Sequence, residues 1–143
     1  MGYASFLHDI GKAKIPASLL QKPSKLNEKE WETMKKHTLW GKQIISKQFS
    51  LKQFDKIAKI IYQHHERWDG NGYPQGLKCD EILIEVQILS VADAYDAMIY
   101  KKPYQKALSK EEAIEEIKSE KGKQFSPKVV DTFLKIEDKF KKD

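Results

Sequence analysis

The 143 residues are enough for one domain, and their composition, 40% hydrophobic and 33% charged with few glycines and prolines, argues against an all-β fold. The net charge of +5 comes from scattered lysines without interleaved aromatic residues, which argues against binding of a nucleic-acid polymer. The single cysteine, Cys79, and the absence of a signal-peptide pattern or a bilayer-spanning apolar run predict a cytoplasmic protein with no membrane in this segment.

The first predicted element is a short apolar helix that opens the chain and ends near Gly11. It carries His8 and Asp9, which supply an imidazole and a carboxylate side by side. Such a pair can bind one metal ion or straddle two. On its own, however, such a pair is more often a helix cap or an ordinary polar contact. The case for a metal site therefore depends on the histidines that follow.

The second predicted element is a helix that begins after Asn27, where Asn27 and Glu30 form the pattern of an N-terminal capping box. Within this helix, His37 shares one side with Met34 and Gly41, so we expect its imidazole to point inward. A single inward histidine is more often a satisfied core residue than a ligand.

The third predicted helix carries an apolar stripe that begins at Phe54 and ends on His64 and His65, near Glu66. Two uncompensated imidazoles at the inner end of such a stripe would be costly to bury, which favours a metal ion as their partner. The glycines and the proline of segment 70–74 predict a stiff loop directly beyond them. This loop is either a support beside a reaction centre or a tight structural turn.

The fourth predicted helix begins after Asp80 as its N-cap and is apolar on nearly all sides as far as Ile99, so we expect it to run through the middle of the domain. Asp93 and Asp96 interrupt it, and a carboxylate in such a place must be paired, ligating or protonated. Asp93 could be a metal ligand and Asp96 its supporting partner, and the sequence also permits the two roles to be exchanged. The basic turn at 101–106 either holds a phosphate or is a solvated loop.

Two scaffold helices complete the chain. Ser109 and Glu112 form a second capping box, and Gly122 follows the end of the helix that they open. Ser126 as N-cap and Pro127 at the first helical position predict the start of the last helix.

All four histidines of the chain belong to one predicted set of inward metal donors. Imidazoles and carboxylates without thiolates suit iron, manganese, cobalt or zinc and do not choose among them. Six donors are more than one ion usually takes, so we expect two divalent metal ions that share a bridging carboxylate, an arrangement used in phosphoryl chemistry. The donors are His8, Asp9, His37, His64, His65 and Asp93.

The motifs that carry these residues resemble those of the HD-GYP family, a branch of the HD-domain superfamily. The most specific match is HHERWDGNGYP at 64–74, and the resemblance extends over nearly the whole chain. The other matching segments are HDIGK at 8–12, VADAYDAM at 91–98, PY at 103–104 and QFSP at 124–127. The resemblance implies an all-α, HD-domain-like helical bundle. It also implies a metal-dependent phosphodiesterase that opens the bacterial second messenger cyclic di-GMP to linear pGpG or GMP.

The resemblance also implies a role for each matching residue. Asp9 would bridge two metal ions, such as iron or manganese, and would share catalysis with Lys12, which would stabilise charge near the scissile phosphate. One ion would be completed by His37, His64 and His65, and the other by His8 and Asp93. The residues expected to contact the substrate are Arg67, Lys102 and Lys106. The loop residues expected beside the site or against a partner are Asp69, Gly70, Gly72, Tyr73 and Pro74.

Two features depart from the family's pattern. The family has an earlier helix with a further histidine ligand, and this chain begins after that point. We therefore expect residues 1–143 to form an N-terminally truncated HD-GYP domain with one fully provided metal site. The family also has arginine on both sides of its Pro-Tyr pair, where this chain has Lys102 and Gln105, so bidentate capture of phosphate is weakened. Apolar surface near Phe6 and Leu7 would favour a homodimer.

Two classes of function remain open at this point. In one, the domain hydrolyses cyclic di-GMP or, less in keeping with its loop motif, another phosphoester. In the other, it is a catalytically impaired signalling module that binds a nucleotide or a partner, such as a cyclase (GGDEF) domain. In either case we expect an upstream sensor or receiver domain in the parent protein.

Overall fold

A computed structural model describes residues 2–49, 52–100 and 107–140. All regular secondary structure in these ranges is helical, which confirms the predicted all-α class. The α-helices are α1 (Gly2–Leu7), α2 (Ala17–Leu20), α3 (Glu28–Lys35), α4 (His37–Gln48), α5 (Gln53–Gln63), α6 (Ile84–Ile99), α7 (Lys110–Ser119) and α8 (Pro127–Phe140). Short 3₁₀ helices lie at Ile10–Lys14 and Cys79–Glu81.

The basic turn with Lys102 and Lys106 lies outside the described residues. No helix in the described ranges is long and apolar enough to cross a membrane.

The helices form two compact units. The first consists of Met1–His65 and Tyr73–Gln75, and the second of Glu66–Gly72 and Gly76–Asp143. The first unit therefore contains α1 to α5, and the second contains α6 to α8.

In the first unit the predicted capping box is confirmed, since Asn27 and Glu30 exchange backbone-to-side-chain hydrogen bonds of 2.8 and 2.9 Å. The single helix expected beyond it is instead two, because α3 ends at Lys35 and α4 begins at His37. Helix α5 ends at Gln63, so both following histidines lie in the turn after it. The buried core of this unit is formed by Ile45, Ala58 and Ile61, with Leu7, Phe54 and Ile57 packed against it.

Gly11 does not end the first helix, as the sequence had suggested. Helix α1 stops at Leu7, and Gly11 lies within the 3₁₀ helix, where it is buried. A Cβ atom at this position would lie 1.9 Å from the carbonyl oxygen of His37 and 2.6 Å from the backbone nitrogen of Gly41. Glycine is required here because the 3₁₀ helix rests directly on the backbone of α4.

Replacing Gly11 by alanine should therefore destabilise the fold. We expect Gly11→Ala to lower the free energy of unfolding by about 1–3 kcal/mol, because two backbone segments must separate to admit the methyl group. Chemical denaturation measures this difference. Gly2→Ala is the matched control, since a Cβ at Gly2 meets no atom within 4 Å. Equal stability of the Gly11→Ala and Gly2→Ala proteins would contradict the close approach.

In the second unit the predicted start of the long helix is wrong. Asp80 lies in a 3₁₀ helix, and α6 begins only at Ile84, because Ile82 is extended and Leu83, with a ψ of 138°, is also not helical. The expectation that this helix is buried on nearly all sides is also wrong, since Ile84 is 48% and Ile88 41% exposed.

The two scaffold helices of the second unit begin as predicted. Ser109 caps α7 in a capping box with Glu112, and α8 begins at Pro127. Gly122 follows α7 with a φ of +78°. The core of this unit is formed by Val91, Ile117, Phe125, Val129 and Val130.

Candidate metal centre

Four of the predicted donors lie together in the first unit. Asp9 directly precedes the first 3₁₀ helix, His37 opens α4, and His64 and His65 follow the end of α5. Each side chain offers one potential ligand atom, and these four atoms lie within 4.8 Å of one another. Helix ends from three parts of the chain thus bring three imidazoles and one carboxylate to a single point.

Backbone carbonyl groups orient three of the imidazoles near this point. The Nδ1 atoms of His8, His37 and His64 each donate to the carbonyl oxygen three residues earlier, at 2.6, 2.7 and 2.7 Å. A carbonyl oxygen can only accept, so Nδ1 carries the proton and Nε2 presents a lone pair when the ring is neutral. Such a hydrogen bond is the usual support of a metal-binding histidine.

The Nε2 atoms of His37 and His64 face each other and Asp9. They lie 3.3 Å apart, and Oδ1 of Asp9 lies 3.6 Å from the first and 3.8 Å from the second. This Oδ1 is buried and accepts no hydrogen bond from the residues that the structure describes. Three electron-pair donors thus converge with no proton between them, which is unfavourable unless a cation lies among them. The residues present therefore fit a divalent metal ion.

Burial keeps these imidazoles neutral. Removal from water lowers the pKa of His64 to about 4 and that of His65 to about 2. Burial also lowers the pKa of His37. Since metal ions bind the neutral ring, all three side chains are in the ligating form at neutral pH without losing a proton.

The carboxyl group of Asp9 is held in its ionised form. Burial acts to raise its pKa, but nearby groups outweigh burial and hold the pKa below its usual value, first through the hydrogen bond of Lys12 and then through the positive charge of Lys12. The Nζ atom of Lys12 lies 2.6 Å from Oδ2 of Asp9, and the lysine side chain is 41% exposed. A cation that is accessible from solvent therefore adjoins the predicted metal site.

Acid should destabilise the metal-free protein, because unfolding returns these histidines to a pKa near 6.5. Below that pH the unfolded chain binds more protons than the folded one, so the free energy of unfolding falls as the pH is lowered. For His64 this loss continues down to its folded-state pKa of about 4. Thermal unfolding in the presence of a chelator measures the effect. His65→Gln, which cannot titrate, should show a shallower dependence, and an equal slope would contradict the buried neutral ring.

The two oxygens of Asp9 face different partners. While Oδ1 faces His37 and His64, Oδ2 lies 3.5 Å from Nε2 of His8 and next to Lys12. The rings of His8 and His64 meet edge to face at 5.1 Å. The structure therefore brings His8 to the predicted bridging carboxylate. Asp93 is an exposed residue of α6 in the second unit and is not a member of the four-residue group, so its ligand role stays a prediction.

The guanidinium group of Arg67 is engaged by protein acceptors in the second unit. It binds both carboxylate oxygens of Asp69 at 3.1 and 3.3 Å, Gln124 at 2.9 Å and Glu120 at 3.3 Å. The hydrogen bond with Asp69, followed by the charge of that residue and of Glu120, raises the pKa of Arg67. These contacts indicate an anchor for the segment at 66–72, while the predicted contact of Arg67 with the substrate remains a prediction.

The loop after the histidines contains two features that the sequence alone did not reveal. Glu66 is buried, and its carboxylate accepts the backbone N–H of Leu77 at 3.0 Å, which closes the base of the loop. Tyr73 stacks on His65 with ring centroids 4.8 Å apart. Gly70 adopts a φ of +80°, as its predicted turn role requires. The position of Glu66 directly after two histidines was the available signal, but its partner could not be read from the sequence.

Residues 1–129 match the sequence profile of the HD domain family. The chain belongs to the HD domain family. This assignment fits the adjoining His8 and Asp9 and the histidines that converge on them.

Curated relatives of this HD domain include several phosphodiesterases. A cyclic di-GMP phosphodiesterase of Thermotoga maritima is 49% identical over 136 residues, 94% of this chain and 36% of that protein. A 3′3′-cGAMP-specific phosphodiesterase of Vibrio cholerae is 42% identical, over 96% of this chain and 26% of that protein. The cyclic di-GMP phosphodiesterase response regulator RpfG of Xanthomonas campestris is 40% identical, over 92% of this chain and 35% of that protein. The chain thus spans between 26% and 36% of these relatives' lengths.

Two solved structures share the fold of this HD domain. A cyclic GMP-AMP-specific phosphodiesterase of V. cholerae has a TM-score of 0.69 and 21% identity, over 95% of this chain and 37% of that one. An HDG"Y"P protein of Bdellovibrio bacteriovorus has a TM-score of 0.65 and 24% identity, over 90% of this chain and 40% of that one. Together with the curated relatives and the GYP sequence at 72–74, they confirm the predicted HD-GYP branch and its helical fold.

Proposed function

We propose that this HD domain is a metal-dependent phosphodiesterase that hydrolyses cyclic di-GMP to linear pGpG or GMP. The observation that carries the proposal is the buried Oδ1 of Asp9, which has no hydrogen-bond partner among the described residues and lies 3.6 and 3.8 Å from two inward-facing Nε2 atoms. Relatives named for hydrolysis of cyclic dinucleotides, 49% and 42% identical to this chain, support the substrate class.

We infer that Asp9, His37, His64 and His65 hold one divalent ion, with iron and manganese as the first candidates. The separate partners of the two Asp9 oxygens support this residue as a bridge to a second ion, for which His8 is the nearby donor. Asp93 completes that second set in the resemblance. When bound, the two ions would activate water and screen the charge of the phosphate oxygens.

Lys12 has a role of its own in this proposal. Its ammonium group lies 2.6 Å from Oδ2 of Asp9 and neutralises the negative charge there. Ions bound to Asp9 would take over this neutralisation and leave the exposed ammonium group to bind a phosphate oxygen of the substrate. There its positive charge would stabilise the negative charge that develops on the phosphoryl group as the 3′ oxygen leaves.

The experiment is a substrate panel with protein stripped of metal and then reloaded with Mn²⁺ or Fe²⁺. We expect metal-dependent conversion of cyclic di-GMP to linear products, measured by chromatography. The name of the V. cholerae relative makes 3′3′-cGAMP the second substrate to test. Nucleotide binding without turnover of either compound in the metal-loaded protein would overturn the proposal and favour the binding module.

We also propose the partners that the resemblance implies. The name of the X. campestris relative, a response regulator, supports an upstream receiver or sensor domain in the parent protein. A cyclase (GGDEF) domain would contact the loop at 69–74. The exposure of Tyr3 (75%) and Phe6 (88%) on α1 supports a homodimer, which light scattering of the wild type and of Phe6→Ser would test. Identical masses for a monomeric wild type and this variant would rule the homodimer out.

A further inference from the structure

We propose that Tyr73 is a positioning residue for the metal centre and that its ring holds the imidazole of His65 in the orientation of a ligand. This inference rests on the proposed function, because a bound metal ion is what the orientation would serve. Tyr73 would then act within the first unit, beside the metal site, and this role would not require a partner protein.

The first observation is the way in which the imidazoles are oriented. Among the described hydrogen bonds, Nδ1 of His8, His37 and His64 each donates to the carbonyl oxygen three residues earlier. Within the described part of the chain, no such bond orients His65. A ligand whose second nitrogen lacks this support needs another means of fixing its ring.

The second observation is a contact between Tyr73 and His65, where the other histidines have a carbonyl hydrogen bond. The ring of Tyr73 lies on the ring of His65 with centroids 4.8 Å apart and planes inclined by 29°. The backbone N–H of Tyr73 also donates to the carbonyl oxygen of His65 at 3.1 Å. Two contacts, one through the rings and one through the backbone, therefore tie the loop residue to the same histidine.

The third observation is that Tyr73 is itself held in place. Trp31 meets its ring edge to face at 6.1 Å, and the ammonium group of Lys35 lies 5.8 Å from its centroid. The ring of His65 in turn contacts those of His37 and His64 at 5.0 and 4.0 Å. Tyr73 thus packs between α3 and the imidazole of His65.

A stacked ring restricts rotation of the imidazole, which is the effect that a carbonyl hydrogen bond has on the other histidines. The binding of metal and the placement of Tyr73 are then coupled, and this coupling is reciprocal. Metal binding should favour the stacked position of Tyr73, and loss of the stack should weaken metal binding.

The test is the affinity of the metal-stripped protein for Mn²⁺, measured by calorimetry. Tyr73→Leu should weaken binding by about 10-fold or more, the scale of losing a supporting group behind a ligand. Tyr73→Phe, which keeps the aromatic face, should bind like the wild type. Tyr100→Leu makes the same chemical change at an exposed position of the second unit and should have no effect. Tyr73→Met, which fills space without an aromatic face, should behave like Tyr73→Leu.

A second readout uses neither metal nor activity. In NMR spectra of the metal-free protein, the ring protons of His65 should be shifted upfield by the tyrosine ring. This shift should persist in Tyr73→Phe and vanish in Tyr73→Leu. Unchanged methyl signals of the core residue Ile45 in the leucine variant show that the first unit is still folded.

Wild-type affinity in both Tyr73→Leu and Tyr73→Met would overturn the inference. So would an unshifted His65 signal in the wild type, or a Tyr73→Phe protein as weak as Tyr73→Leu. The result is separable from the proposed function. Weakened Mn²⁺ binding in a domain whose loaded wild type cleaves no cyclic dinucleotide would leave the positioning role standing. If the wild type cleaved a cyclic dinucleotide and Tyr73→Leu bound Mn²⁺ with normal affinity, the proposed function would stand and the positioning role of Tyr73 would fall.

Discussion

Asp9→Asn should abolish metal binding and, with it, cyclic di-GMP hydrolysis. The amide has no negative charge to offer a cation, and both oxygens of Asp9 have partners that depend on this charge, at Oδ1 His37 and His64 and at Oδ2 Lys12. Since loss of a supporting group alone weakens metal binding about 10- to 100-fold, loss of this ligand should weaken it by more than about 100-fold. Metal analysis after reconstitution, together with the hydrolysis assay, measures both effects.

Asp55→Asn is the matched control for this substitution, because it makes the same chemical change at an exposed position of α5. Its metal content and activity should equal those of the wild type. If Asp9→Asn retained a full complement of metal, Asp9 would not be a ligand, and the proposed centre would have to be abandoned.

The second large effect separates the two predicted ions. His65→Ala should strip the ion held with Asp9, His37 and His64, because it removes a member of the four-residue group. His8→Ala should leave that ion in place, since His8 lies beside the other oxygen of Asp9, at 3.5 Å from Oδ2. Metal analysis of the reloaded proteins should therefore find one ion retained in His8→Ala and that ion lost in His65→Ala. Equal losses from both variants would contradict the assignment of these histidines to separate ions.

Local sequence signals predicted the structural features that depend on a few neighbouring residues. Both capping boxes, at Asn27 and at Ser109, form as expected, and Pro127 begins the last helix. The inward position of His37, which is only 1% exposed, followed from helical spacing. In each case the responsible atoms lie within a few residues of one another.

The errors arose where distant segments meet. Gly11 carried the pattern of a helix end, but its role is set by the carbonyl oxygen of His37. No glycine or proline marks the break between α3 and α4. The apolar residues of α6 predicted burial on nearly all sides, yet Ile84 and Ile88 are exposed, because an apolar pattern does not say what covers each face.

The candidate site was predictable in its composition and less so in its supports. The donor residue types indicated a metal centre, and the structure brings Asp9, His37, His64 and His65 together. The stack of Tyr73 on His65 and the engagement of Arg67 by Asp69 and Glu120 could not be read from the chain, because each depends on how a loop folds back on other elements.

Crystals of the Mn²⁺-loaded domain, with anomalous diffraction recorded at the manganese edge, would locate the metal ion directly. We expect an anomalous peak within bonding distance of Asp9, His37, His64 and His65, at the point where these ligand atoms converge. A Mn²⁺-loaded crystal with no peak at this point, or with its only peak elsewhere, would show that these four residues do not form the metal site.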